Sequence, residues 1–315
     1  MSKKIVASLA AVVVIAAGAV GYYVMGRDSA PSDVVYGDLE SYVFIQSTTT
    51  PELTVIDAIK DVIVGRIKTT VVPDDILVAK EPKRIVYSNR ANKSVHIYDL
   101  ATQKDEAVFN LPFSPDNVVM SPDSFVLAMS DTNTGQFGII DLSNNRLTHV
   151  LDEKFYRPSA IVFSDDSVFV FISDSLNGRI TTIDTLSGAV LDPIQISLHA
   201  DKVSDPEGNT LSAVTRTPNG VWGIVTEKLV GRVSVINFRN WSEFKVMAVG
   251  KGPSRAYGTA DGQYMLIGND VDRTVSVIST DNFDHEATLP GVDGVTSITT
   301  GFFETLAYVV SNKEN

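Results

Sequence analysis

From Tyr42 onward, apolar and polar positions alternate in short runs broken by Gly, Asn, Asp and Ser. Six of these runs resemble one another: Leu53-Thr-Val-Ile56, Ser94-Val-His-Ile97, Phe137-Gly-Ile-Ile140, Ile180-Thr-Thr-Ile183, Val233-Ser-Val-Ile236 and Thr274-Val-Ser-Val-Ile278. Each is rich in β-branched residues and partly alternating, which predicts a strand packed between neighbouring layers. The residues that close them are Asp57, Asp99, Asp141, Asp184, Asn237 and Ser279, at successive steps of 42, 42, 43, 53 and 42 residues.

A second marker keeps the same beat. The turns Ser121-Pro-Asp-Ser124, Ser164-Asp-Asp-Ser167, Thr217-Pro-Asn-Gly220 and Thr259-Ala-Asp-Gly262 lie between the first two strands of successive units. Pro presets φ, Asp or Asn caps the turn through its side chain, and Gly accepts positive φ. A period of about 40 to 45 residues with four short strands per unit predicts an all-β, seven-bladed β-propeller. Units are expected to begin near Ser41, Ile76, Val118, Ala160, Ser212, Ala256 and Val295. The first lacks its innermost strand, for which Val34-Val-Tyr36 is a candidate. The last blade is incomplete: adding 42 to Ser279 puts the next closing residue near 321, so the closing strands are expected beyond Asn315. The alternative is a ring with an open seam and an unpaired sheet edge.

The segments Tyr87-Ser-Asn89 with Ser94-Val-His-Ile-Tyr-Asp99, and Ile267-Gly-Asn269 with Thr274-Val-Ser-Val-Ile278, resemble YVTN-type β-propeller repeats. The resemblance covers Tyr42 to the C-terminus. It implies the fold, and it is shared by periplasmic binding propellers, seven-bladed lactonases and haem-binding nitrite-reductase propellers. One fold hosts many activities, so it implies none in particular.

Residues 1–26 differ from the rest. Ile5 to Met25 is a run of 21 apolar or small residues behind Lys3 and Lys4. At 1.5 Å per residue it measures roughly 31 Å, the span of a hydrocarbon core. The expectation is one transmembrane anchor with its lysines in the cytoplasm and the remainder facing the periplasm or exterior. A cleaved signal peptide with Ala17-Gly-Ala19 at the cleavage site is the rival reading. Residues 27–40 form a polar linker and 41–315 the propeller domain. Without Lys3 and Lys4 the chain has 24 basic against 38 acidic residues, so its net charge moves from −12 to −14. Such a surface repels nucleic acid and anionic headgroups, leaving the anchor as the expected membrane contact.

Chemistry is sparse. There is no cysteine, hence no disulfide, thiolate metal site or covalent c-type haem. The loops after the second strands begin at Asn89, Asp131, Asp174, Glu227 and Asp270, which predicts an acidic rim for a protein or small ligand. The bland alternative is that these side chains satisfy backbone N–H groups in tight turns. Arg157 and Arg255 follow or precede prolines in the connections between units and are placed on the same face, to grip an anion or pair with rim carboxylates. The one long step holds an insertion, Ser197 to Asn209, with His199, Asp201, Asp205 and Glu207. These are weak metal candidates, because their spacing matches no compact metal motif. His96, His149 and His285 are expected to be structural or solvated. No Ser-His-Asp set is legible, no cofactor is called for, and the expected role is non-catalytic binding.

Overall fold

The computed structural model describes residues 39–60, 62–151, 155, 158–175, 178–196, 211–290, 295–300 and 307–311. These divide into two compact units, one within Tyr22–Lys154 and one within Phe155–Asn315. The anchor and linker residues 1–38, the Ser197–Asn209 insertion and Val34-Val-Tyr36 lie outside the described residues. No helix among the described residues is long and apolar enough to cross a membrane.

The first unit opens with a 3-10 turn, Leu39–Ser41, and then holds three sheets. Strands β1 (Tyr42–Gln46), β2 (Glu52–Asp57) and β3 (Val62–Lys68) form an antiparallel three-stranded sheet in sequence order. Next come β4 (Asp75–Ala79), β5 (Arg84–Asn89), β6 (Ser94–Asp99) and β7 (Lys104–Asn110), then β8 (Asn117–Met120), β9 (Val126–Ser130), β10 (Phe137–Asp141) and β11 (Arg146–Leu151). Leu53, Val55 and Ile67 of the first sheet pack on Ile85, Tyr87 and Tyr98 of the second. Val86, Val95 and Ile97 pack on Leu127, Met129 and Ile140 of the third. The middle strands β5 and β6 are thus buried on both faces, which explains their nearly unbroken apolar runs.

The second unit repeats the plan. Its sheets are β12 (Pro158–Phe163), β13 (Phe169–Asp174), β14 (Arg179–Asp184), β15 (Val190–Gln195); then β16 (Leu211–Arg216), β17 (Trp222–Glu227), β18 (Arg232–Asn237), β19 (Ser242–Ala248). They are followed by β20 (Pro253–Gly258), β21 (Tyr264–Asn269), β22 (Thr274–Ser279), β23 (His285–Pro290), and a pair, β24 (Val295–Thr300) with β25 (Ala307–Ser311). Each sheet covers the next: Phe171 stacks on Phe238 at 4.0 Å, Ile224 meets Ile267, and Leu266 meets Ile298.

Both sequence markers are turn caps. The strand-closing residue accepts from backbone N–H groups two or three positions ahead: Asp57 from Ile59 and Lys60, Asp99 from Thr102, Asp141 from Ser143, Asp184 from Ser187, Asn237 from Arg239 and Ser279 from Asp281. In the other turn Ser121, Ser164, Thr217 and Thr259 donate to Asp123, Asp166, Asn219 and Asp261, and each hydroxyl oxygen accepts from the N–H five residues on. A third regularity escapes the sequence. In the three-stranded sheet and in each four-stranded one, the last strand slips in register against its neighbour, as between Val55 and Ile56 or Ile97 and Tyr98.

Candidate functional site

The rim residues are best followed one unit at a time. In the first unit Asn89 ends β5, and its side chain donates to the Val72 carbonyl at 2.8 Å while accepting from Asn92 N–H. Asp131 is buried just past β9. Its carboxylate accepts from Ser114, Asn133 and Thr134 N–H at 2.8 to 3.0 Å. Burial pushes its pKa up, but the Thr134 and Ser114 N–H donors outweigh burial and hold it below the usual carboxylate range. Asp75 goes the other way: burial raises it against the pull of Arg90, which pairs with it at 2.8 Å.

In the second unit Asp174 and Glu227, the last residues of β13 and β17, are buried, and Arg179 Nε donates to Asp174 at 3.2 Å. The residue at the matching place in β21 is Asn269, also buried, whose side chain donates to Ser276 and Thr274. Asp270 is one position further on and accepts from Val295 N–H at 3.0 Å. Asn89, Asp131 and Asp270 therefore tie their loops to the connections that precede or follow the sheet, while Asp174 and Asn269 bond within their own hairpins. Short carboxylates and amides do so because a tight turn leaves N–H groups without a ladder partner. Arg255 is exposed, at the register shift that opens β20. Arg157, His199, Asp201, Asp205 and Glu207 lie outside the described residues. Among the described residues no group of three or more His, Cys, Asp or Glu is placed to hold a metal ion.

The densest chemistry sits elsewhere, in the first unit. Ser94 Oγ lies 3.1 Å from His96 Nε2, and His96 Nδ1 lies 3.3 Å from Asp105 Oδ2. That is the order of a nucleophile, a base and an orienting carboxylate. Access is another matter. Ser94 and His96 are each 3% exposed, and Tyr87 stacks on the imidazole at 4.6 Å with the rings 11° from parallel. Asp105 is further engaged: Tyr87 Oη donates to it at 2.8 Å, and so does Thr70 Oγ1. Thr70 N–H in turn donates to Tyr87 Oη. The set pins the connection after β3 to β5, β6 and β7, and its hydroxyl has no open side for a substrate.

Sequence reasoning missed this set for a specific reason. In a regular ladder Glu106 would face Tyr98, because Ile97 faces Ala107; the register shift instead puts Asp105 opposite Tyr98 and on the face of His96. Period-2 counting cannot see a one-residue bulge.

Three loop segments of the second unit carry more cationic than acidic side chains. On the loops at the β17–β18 and β21–β22 ends and on the connection between β19 and β20, the exposed residues include Lys228, Lys251, Arg255 and Arg273. Leu229 and Val271 stand among them, 49% and 66% exposed.

No family model matches the chain, and no curated protein matches it. Solved structures do. A chain of Kuenenia stuttgartiensis hydrazine synthase is similar with TM-score 0.62 and 17% identity, over 87% of this chain and 93% of that one. A functionally unknown protein from Desulfotomaculum acetoxidans DSM 771 is similar with TM-score 0.62 and 12% identity, over 80% of this chain and 79% of that one. At such identities the likeness concerns the fold. Together with the repeated antiparallel four-stranded sheets it is consistent with a β-propeller.

Proposed function

We propose that this chain is a seven-bladed propeller of YVTN type, anchored in a membrane by Ile5–Met25, that binds a protein or small ligand on the extracytoplasmic side without catalysis. The period of the closing residues supports seven blades, and the Lys3-Lys4 pair before the apolar run supports the orientation. The observation that carries the binding role is the sorting of charge in the second unit. Asp174 and Glu227 are spent inside the loops, while Lys228, Lys251 and Arg255 face outward on the same loops and connections. Inserted or exposed loops on one face of a repeat scaffold are commonly its binding face. The insertion Ser197–Asn209 belongs to this reading. Deleting it should abolish cross-linking to the partner in intact cells while leaving the unfolding midpoint unchanged. Cross-linking that survives deletion would put the contact elsewhere.

A hydrolytic reading has one observation in its favour, the order Ser94, His96, Asp105. Burial of the hydroxyl opposes it. A fluorophosphonate probe should therefore leave Ser94 unlabelled in the folded protein, and stoichiometric labelling would restore the enzyme alternative.

A further inference from the structure

The three loop segments of the second unit are one connected surface. Val249 N–H donates to the Gly231 carbonyl, while Asp270 N–H donates to Gly252 and Val271 N–H to Lys251. Lys251 N–H donates to Asp272 at 2.8 Å. The connection is glycine-rich for a steric reason: a Cβ on Gly252, which has φ +70°, would meet Val271 Cγ2 at 2.7 Å, and one on Gly250 would meet Asn269. The Val249–Gly252 connection is thus clamped between the β17–β18 loop and the β21–β22 loop.

Charge on this surface runs against the rest of the molecule. Residues 227–232, 249–256 and 269–274 carry five cationic side chains and three carboxylates, in a chain of net charge −12. Of the carboxylates, Glu227 is buried, Asp270 is half-buried and accepts from Val295 N–H, and Asp272 is exposed but turned to accept from Lys251 N–H, so the cations still outnumber the exposed carboxylates. Two aliphatic side chains, Leu229 and Val271, stay exposed on the loops flanking the connection. Aliphatic groups held in water beside cations on a backbone-bonded platform are what an acidic segment with interspersed apolar residues would cover.

We infer that this surface binds an acidic peptide segment, with Lys228, Lys251 and Arg255 meeting its carboxylates and Leu229 and Val271 its apolar side chains. The inference rests on the binding role proposed above and names the chemistry of the partner. The full-length chain in detergent should bind a fluorescein-labelled (Glu-Leu-Glu)4 peptide saturably by anisotropy, and a (Lys-Leu-Lys)4 peptide should not bind. Affinity should fall steeply between low and physiological salt. The triple variant Lys228→Glu, Lys251→Glu, Arg255→Glu should weaken binding at least tenfold, whereas Lys104→Glu on β7 should leave it unchanged. Leu229→Ser with Val271→Ser should weaken it about threefold at all salt concentrations. These are surface positions, and circular dichroism of each variant checks that it folds.

Absence of saturable binding, or binding that the triple variant retains, overturns the inference. So does saturation by short-chain phosphatidylglycerol in place of the peptide, which would make the occupant lipid. Self-association abolished by the triple variant would make it a second copy of the chain and overturn the inference too. Failure here with loop-dependent cross-linking intact would remove the acidic peptide and leave the binding role standing.

Discussion

Asp105 faces one imidazole and accepts from two hydroxyls, so it is the residue on which the packing of β5, β6 and β7 against the connection after β3 depends. Tyr87→Phe removes one donor and leaves that carboxylate less satisfied inside the unit. The expected loss is about 1–2 kcal/mol of stability, read from urea unfolding. Burial pushes the Tyr87 phenol up to about 12, with the Thr70 N–H opposing it and Asp105 adding to it. Folding therefore favours the protonated phenol. The stability this contributes is whole below pH 10 and is lost as pH rises from 10 towards 12. A plot of unfolding midpoint against pH should show that alkaline decline, and Tyr87→Phe should lack its share. His96 was legible as a strand residue, because Ser94-Val-His-Ile97 alternates. Its partner was not, because only the bulge between Ile97 and Tyr98 brings Asp105 to its side.

At the scale of a strand and its turn, the closing residues do one job with three chemistries. Aspartate, asparagine and serine all accept from the N–H groups that a turn leaves open, so the period survives the substitutions at Asn237 and Ser279. Only the aspartates titrate. Asp57 is held low by the Lys60 side chain and backbone, and Asp99 by the Thr102 N–H. At Asp141 burial pulls upward but Asn144 and the Ser143 N–H prevail. Each of these lowered groups contributes stability that is present above about pH 4 and lost as pH falls through its folded value. Acid unfolding should accordingly begin below pH 4. Asp99→Asn, which keeps the acceptor, should cost less than Asp99→Ala, expected near 1 kcal/mol. Turns and third strands were legible because side-chain caps and β-branching are local. Five of the unit starts were placed one to three residues late: β12 starts at Pro158 and β20 at Pro253, against expected starts of Ala160 and Ala256, whereas β24 starts at Val295 as expected. Both β12 and β20 carry a register shift right after their first residues, which interrupts the alternation a reader relies on.

For the molecule as a whole, charge and hydropathy are segregated along the chain. The acidic residues that a sequence count assigns to one loop face are partly buried within those loops, as with Asp131, Asp174 and Glu227, so counting them overstates the acidity the face presents. The same segregation makes the N-terminal run the strongest whole-chain prediction. Twenty-one apolar or small residues behind two lysines give far more transfer free energy than a secretory leader requires, and Val20 to Met25 would be unneeded apolar length if cleavage followed Ala19. The full-length chain should stay with membranes through an alkaline carbonate wash. Its intact mass there should include the Ile5–Met25 run, and replacing Val13 and Val14 with arginine should release it to the soluble fraction, since two charges near the centre of the span cost several kcal/mol. A mature protein beginning at Val20 would show the run to be a cleaved leader instead.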